Sequence, residues 1–247
     1  MSLQLDYDLT DDEKGALRDI PAASWFTQVI WRNAASPRHP RAEELDPNNE
    51  LKQALVGDWV EQHVRGKRVL DLFCANGAFS FLAAMAGASA VVGLDFSPER
   101  VECARFVAQT LAGRAPCLPT FQAADVYQLA GQFDRPFDVV LCLGGLYHMA
   151  DPPFILSQVR ALTAGLLIVQ TSSIMLRRGN WAQFCIRSDQ THEGLTSIVG
   201  ERGAWHFTVE CFESFLRHAR FRVLESRRPP EPQRKRFPWY CALAEPV

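Results

Sequence analysis

Long apolar runs are missing from this 247-residue chain. The longest, such as GLLIVQ at 165–170, fall far short of the roughly 20 residues that a membrane-spanning helix needs. Missing too is a signal-peptide pattern, because MSLQLDYDLTDDEKG carries acids where a basic and then an apolar segment would stand; the expected compartment is the cytoplasm. No CxxC, HExxH or Cys/His cluster occurs, so no metal centre is expected. The 7 cysteines are odd in number, irregularly spaced and in several cases set inside apolar runs, which reads as free thiols in a reducing compartment. An excess of one charge is absent as well: 26 Lys and Arg against 28 Asp and Glu leave a net charge of −2. That balance gives no global attraction to a phosphate backbone and weighs mildly against a nucleic-acid substrate. There is no internal repeat and no low-complexity tract.

What is present is an ordinary globular composition, 47% hydrophobic, enough to bury one substantial core with an appended cap. Residues 1–46 read as that cap. LTDDEKGALRDI has the pattern of a short capped helix, SWFTQVIW is rich in aromatics, and the three prolines of SPRHPRAEELDP break regular structure. From residue 48 to 64, Leu51, Leu55, Trp59, Val60 and Val64 recur at near-helical spacing.

Beyond that helix, apolar runs at 68–73, 90–95, 119–125, 137–143 and 165–172 alternate with helical segments. Ser97 and Pro98 open one helix, and Asp151 and Pro152 open another. Strands this apolar, separated by helices, predict a parallel sheet covered on both faces. The alternation stops at 173–207, a polar insert bearing Trp and Arg. It is followed by the helix TVECFESFLRHA and two strands, FRVLES and WYCALAE, spaced for an antiparallel hairpin whose tip carries the basic run 234–236. The expected fold is a Rossmann-like three-layer α/β sandwich. Its sheet is mostly parallel and seven-stranded with the last strand antiparallel; an N-terminal helical cap is added, and residues 47–247 form the main domain.

The turn after the first strand, DLFCANG, decides the kind of ligand. A dinucleotide needs G-x-G-x-x-G because a Cβ would collide with its pyrophosphate, and here only Gly77 remains while Phe73 and Ala75 fill the other places. NAD and FAD therefore fit poorly. S-adenosylmethionine carries no phosphate, and backbone groups of the turn from Phe73 through Cys74 and Ala75 to Gly77 suit its amino-acid portion. Asp71 adds a negative field near its amine and sulfonium. Asp95, with Phe96 after it, ends the second strand and suits the ribose hydroxyls. Asp125 suits the adenine amino group and Val126 offers an amide to the ring, while Leu143 and Gly144 close the set at the end of the fourth strand.

The segments VLDLFCANGAF, VVGLDFS, AADV and FDVVLCLGGLYHMADP together resemble the successive motifs of class I S-adenosylmethionine-dependent methyltransferases over roughly 66–172. The tail WHFTVECFESFLRHARFRVLE is similar to the last helix and strand of that fold. LGGLYHMADP resembles the branch holding the tRNA wobble-uridine carboxymethyl-transferring enzymes and small-molecule methyltransferases. No Lys-Gly-Pro-Phe-like element, which the former use for their cofactor's extra carboxylate, precedes the first motif. The resemblance implies methyl transfer from S-adenosylmethionine to a small-molecule acceptor by in-line displacement. Modification of a tRNA wobble uridine and a catalytically inactive cofactor-binding module are the alternatives.

For the acceptor side, Tyr147 and His148 follow the fourth strand, where His148 suits a general base and Tyr147 an orienting hydroxyl, each against a structural role. Trp25, Phe26 and Trp31 of the cap and Trp181 and Trp205 of the insert either wall the acceptor pocket or pin cap to core. Arg177, Arg178 and Arg187 are candidates for an anionic group. Cys74 and Cys142 read as packing residues rather than nucleophiles, and DPPF at 151–154 reads as a helix start.

Overall fold

The computed structural model describes residues 2–129, 131–174, 177–187, 202–230 and 238–247. The basic run 234–236 and much of the insert lie outside them. Chain order begins with strand β1 (Ser2–Leu5), helix α1 (Asp11–Asp19) and strands β2 (Gln28–Trp31) and β3 (Ala34–Ala35). Thr10 starts α1 through a capping box: its hydroxyl accepts the Glu13 amide at 3.2 Å, and the Glu13 carboxylate accepts the Thr10 amide at 2.7 Å. The cap is not helical throughout, as the sequence suggested. β2 pairs with β1 in parallel and with β3 antiparallel, so a small sheet accompanies the helix. Leu3, Leu5, Val29 and Trp31 are its inward positions at a period of two, a pattern hidden in sequence by its short length.

Helix α2 (Ala42–His63) opens ahead of the expected residue 48 and contains Pro47. A proline so near the N-terminus removes a single i to i−4 bond, and the buried Leu55, Val56, Trp59 and Val60 further along hold the helix on the sheet. There follow β4 (Arg68–Leu72), α3 (Ala78–Met85), β5 (Ala90–Asp95), α4 (Pro98–Thr110), β6 (Thr120–Ala123), β7 (Phe137–Leu143), α5 (Pro152–Leu162) and β8 (Thr163–Ser172). The chain continues through β9 (Ala182–Arg187), β10 (Arg202–Phe207), α6 (Val209–His218), β11 (Phe221–Arg227) and β12 (Trp239–Pro246). The Ser97 hydroxyl caps α4 and the Asp151 carboxylate caps α5, accepting the amides three residues on at 3.3 and 3.0 Å.

Seven strands form one sheet in the order β11-β12-β8-β7-β4-β5-β6. β8, β7, β4, β5 and β6 run parallel, and β12 lies antiparallel between β8 and β11. Alternate residues feed opposite faces: Leu70, Val140, Cys142 and Val169 pack toward α5 and α6, while Val69, Val139, Leu141 and Ile168 pack toward α2 and α3. This is the three-layer sandwich that the apolar strands predicted. A third apolar cluster joins the cap to α4. β9 and β10 pair as a separate antiparallel hairpin. The chain runs outward from β4 in both directions, to β5 and β6 and then back to β7 and β8, so the strand order reverses beside β4 and opens a crevice at the carboxyl ends. Among the described residues no helix is long and apolar enough to cross a membrane.

Candidate functional site

The turn after β4 takes a left-handed backbone at alternate residues: Phe73 at φ +62°, Ala75 at +50° and Gly77 at +86°. An L-residue costs roughly 1–2 kcal/mol in that region, so Phe73 and Ala75 keep a conformation that favours glycine while bearing side chains. Hydrogen bonds hold the path. The Cys74 amide donates to the Leu94 carbonyl at 3.0 Å, the Gly77 amide to the Cys74 carbonyl at 2.8 Å, and the Ala75 amide to Asp95 Oδ2 at 2.8 Å. Asp95 Oδ1 accepts the Ser97 amide at 3.0 Å. At Gly77 a Cβ would come within 2.8 Å of the Phe121 ring, so this glycine serves packing as well as backbone freedom.

Asn76 fixes the cap to this turn. Its side-chain amide donates to the Thr27 carbonyl at 2.7 Å and its oxygen accepts the Thr27 amide at 2.9 Å, both buried. Nothing in the sequence marks Asn76 out, because an asparagine in a turn has local uses enough to explain it.

Two adjoining cavities lie over the strand ends. The first, about 320 Å³, is lined by Asp71, Phe73, Cys74, Ala75, Asp95, Phe96, Leu143, Gly144, Tyr147 and His148 among others. The second, about 370 Å³, is lined by Asp125 and Val126 and shares Phe73, Asp95 and Phe96 with the first. Gly77 lines neither and acts from behind the turn. Asp125 also caps the 3₁₀ turn Val126–Gln128, accepting the Tyr127 amide at 2.9 Å.

The first cavity holds two buried charges of opposite sign. Asp71 Oδ2 accepts the Ser80 hydroxyl at 2.6 Å, and burial pushes its carboxyl up to about 7 against the opposing pull of that bond and of Lys52. Burial lowers Lys52 to about 8, with Asp71 opposing the shift. The Lys52 Nζ lies 5.9 Å from the Phe79 ring centre and 5.7 Å from that of Trp239. Lys52 was not a candidate from sequence: a lysine on an amphipathic helix is ordinarily solvated, and only the packing of α2 against the sheet turns it inward.

Beyond β7, the Nδ1 of His148 bonds to the Gly203 carbonyl of β10 at 3.1 Å. A carbonyl only accepts, so Nδ1 carries the proton and the lone pair of the neutral ring belongs to Nε2. At the end of β8, Ser172 Oγ and His206 Nδ1 are 2.6 Å apart in a buried pair that also lines this cavity. No local motif marks that pair, since its members meet only when β10 folds over β8.

A family described as "Methyltransferase domain" matches residues 63–205, more than half of the chain. The chain belongs to this methyltransferase domain family. It is 34% identical over 124 residues to the ubiquinone biosynthesis O-methyltransferase of Azotobacter vinelandii, covering 49% of this chain and 51% of that one. To the Bordetella pertussis protein of the same name it is 29% identical over 163 residues, covering 63% and 60%. The matched region thus spans only about half to three fifths of these relatives. The fold is shared with the 1,6-didemethyltoxoflavin-N1-methyltransferase of Burkholderia thailandensis, solved with that compound and S-adenosylhomocysteine bound: TM-score 0.64, 19% identity, 98% of this chain and 93% of that one.

In this methyltransferase domain the tryptophans proposed from sequence lie away from both cavities. Trp25 and Trp31 are buried against Phe106 of α4, with ring centres 6.5 and 6.2 Å apart, and pin the cap to the core. Trp205 packs between Phe184 and Phe207, and Trp181 is exposed. Phe26 is the cap aromatic that reaches the first cavity. Arg177 and Arg178 are exposed and line neither cavity, whereas Arg41 and Arg100 line the first; the side chain of Arg187 lies outside the described part. All seven cysteines are free. Burial pushes the Cys142 thiol up to about 12 and raises Cys74 as well, so both stay protonated and serve packing. Among the described residues no cluster of three or more metal-ligating side chains occurs.

Proposed function

We propose that this protein transfers a methyl group from S-adenosylmethionine to an oxygen of a small-molecule acceptor. The observation that carries the reading is the pair of adjoining cavities: acids from three successive strand ends, Asp71, Asp95 and Asp125, line them, and Tyr147 and His148 stand at the far end. The residues fit the cofactor group by group. Asp125 and Val126 suit the adenine, and the Asp95 carboxylate, already held by two amides, suits the ribose hydroxyls. Asp71 suits the amine, and Lys52 adds a cation for the carboxylate. The side chains of Phe73 and Ala75 crowd the room that a pyrophosphate would need.

Bound there, S-adenosylmethionine supplies a methyl group already activated by its sulfonium. The chain's part is then alignment and exclusion of water, with the cap and hairpin strand β10 closing over the cavity. His148, oriented by Gly203, takes the proton of the acceptor hydroxyl at Nε2. The oxygen acceptor is suggested by the O-methyltransferase relatives, and a small molecule by the size of the cavities and the balanced net charge.

Calorimetric titration with S-adenosylmethionine, S-adenosylhomocysteine and NAD tests the cofactor. Both S-adenosyl compounds are expected to bind, and binding of NAD alone would overturn the reading. Incubation with radiolabelled S-adenosylmethionine and a panel of phenolic and sugar hydroxyl acceptors, with bulk tRNA alongside, tests the acceptor. Label in tRNA only would move the function to nucleic acid.

A further inference from the structure

Phe73 occupies a place where the turn favours glycine, and it is only half-buried, set between the core and the cavities. It lies so tightly over Gly145 that a Cβ on that glycine would come within 2.0 Å of the Phe73 Cγ. It also lines both cavities. One side of the ring packs against the core, while the other lines the cavities, and backbone strain of this kind gathers at functional sites.

The sheet order says what passes it. β5 ends at Asp95 and β6 leads into Asp125 on one side of β4, while β7 leads into Tyr147 and His148 on the other. A ligand reaching from Asp125 to His148 must cross the end of β4, where the Phe73 ring leans toward β7. In S-adenosylmethionine the sulfonium joins the ribose to the amino-acid portion. With the ribose at Asp95 and the methyl group directed at His148, the sulfonium falls at that crossing.

We propose that the Phe73 ring forms the wall against which the sulfonium rests, and that it makes the site discriminate the charged methyl donor from its neutral product. The inference rests on the cofactor reading above. An aromatic face attracts a cation through its quadrupole, and the uncharged thioether of S-adenosylhomocysteine forgoes that attraction. The Asp95 carboxylate, which lines both cavities, reinforces the preference for positive charge. Phe73 adds a surface that holds the sulfonium without bonding to it and leaves the methyl group open toward the acceptor.

The test is calorimetric titration of the wild-type protein, Phe73→Leu and Phe73→Tyr with S-adenosylmethionine, S-adenosylhomocysteine and an analogue bearing an ammonium in place of the sulfonium. Leucine keeps the apolar bulk and the left-handed strain but removes the ring. Phe73→Leu is expected to weaken both cationic ligands by roughly three- to thirtyfold while S-adenosylhomocysteine stays within about twofold. Phe73→Tyr should keep the wild-type preference. Equal weakening of all three ligands in Phe73→Leu, or an unchanged ratio, would overturn the role of the ring while the cofactor assignment stands. If the wild-type protein binds neither S-adenosyl compound, the cofactor reading falls and this inference with it. Should Phe73→Leu fail to fold, Phe73→Gly, which relieves the strain, is expected to lose the same preference, and a retained preference would overturn the proposal.

Discussion

The Asp95 carboxylate accepts the amide of Ala75 at 2.8 Å, tying the end of β5 to the turn after β4 while Ala75 is held at φ +50°. One side chain thus shapes the turn and lines both cavities. Asp95→Ala is expected to lower affinity for S-adenosylmethionine by about 1–3 kcal/mol, read by calorimetric titration. Unchanged affinity would remove Asp95 from the cofactor site.

Asp71 and Lys52 give stability a pH dependence of opposite signs. Folded Asp71 keeps its proton up to about 7, whereas an unfolded carboxyl releases it near 4, so the native state binds more protons in that window and stability falls as pH rises through it. Folded Lys52 loses its proton near 8, whereas an unfolded lysine holds it to about 10.4, so stability rises with pH above 8. The thermal midpoint of the ligand-free protein should therefore pass through a trough between about pH 7 and 8. Asp71→Asn is expected to flatten the falling limb and Lys52→Met the rising one; an unaltered profile in both variants would show that neither group titrates in these windows.

Gly77→Ala should be costly although the site is small. The backbone at φ +86° strains an L-residue, and the new Cβ meets the Phe121 and Phe81 rings at 2.8 to 2.9 Å. A loss of about 2–4 kcal/mol in urea unfolding is expected from strain and overpacking together.

His148→Ala is expected to cut turnover by about 10²- to 10⁴-fold on an accepted hydroxyl substrate. Affinity for S-adenosylmethionine should stay near wild type, because the ring is anchored on β10 and acts on the acceptor. Turnover equal to wild type would take His148 out of the mechanism.

Trp31→Ala separates the cap's stability from the site's chemistry. Its ring is buried against Phe106, and its Nε1 donates to Thr110 Oγ1 at 3.4 Å. Removing it should cost about 3–5 kcal/mol in unfolding free energy, and cofactor affinity in the folded fraction should be little changed.

Much of this arrangement is legible along the chain because it depends on neighbours in sequence. Leu70 and Leu72 facing away from Val69, the Ser97 and Asp151 caps, and an acid at the end of each of three strands follow from periodicity and local hydrogen bonding. Those signals determined the parallel sheet, the crevice over its carboxyl ends and the acids that line it. The left-handed turn at Phe73 and Ala75 needed one further input: which residue types tolerate positive φ says where glycine is favoured, not what is built when it is absent. Only the tertiary structure decided that Lys52 turns inward beside Asp71, that Asn76 clamps Thr27, that His206 meets Ser172, and that Trp25 and Trp31 pin the cap instead of walling the pocket. Each of these depends on which surfaces come together between segments far apart in the chain. A side chain's local pattern makes it amphipathic or polar, but its burial and its partner are set by whatever is packed across from it.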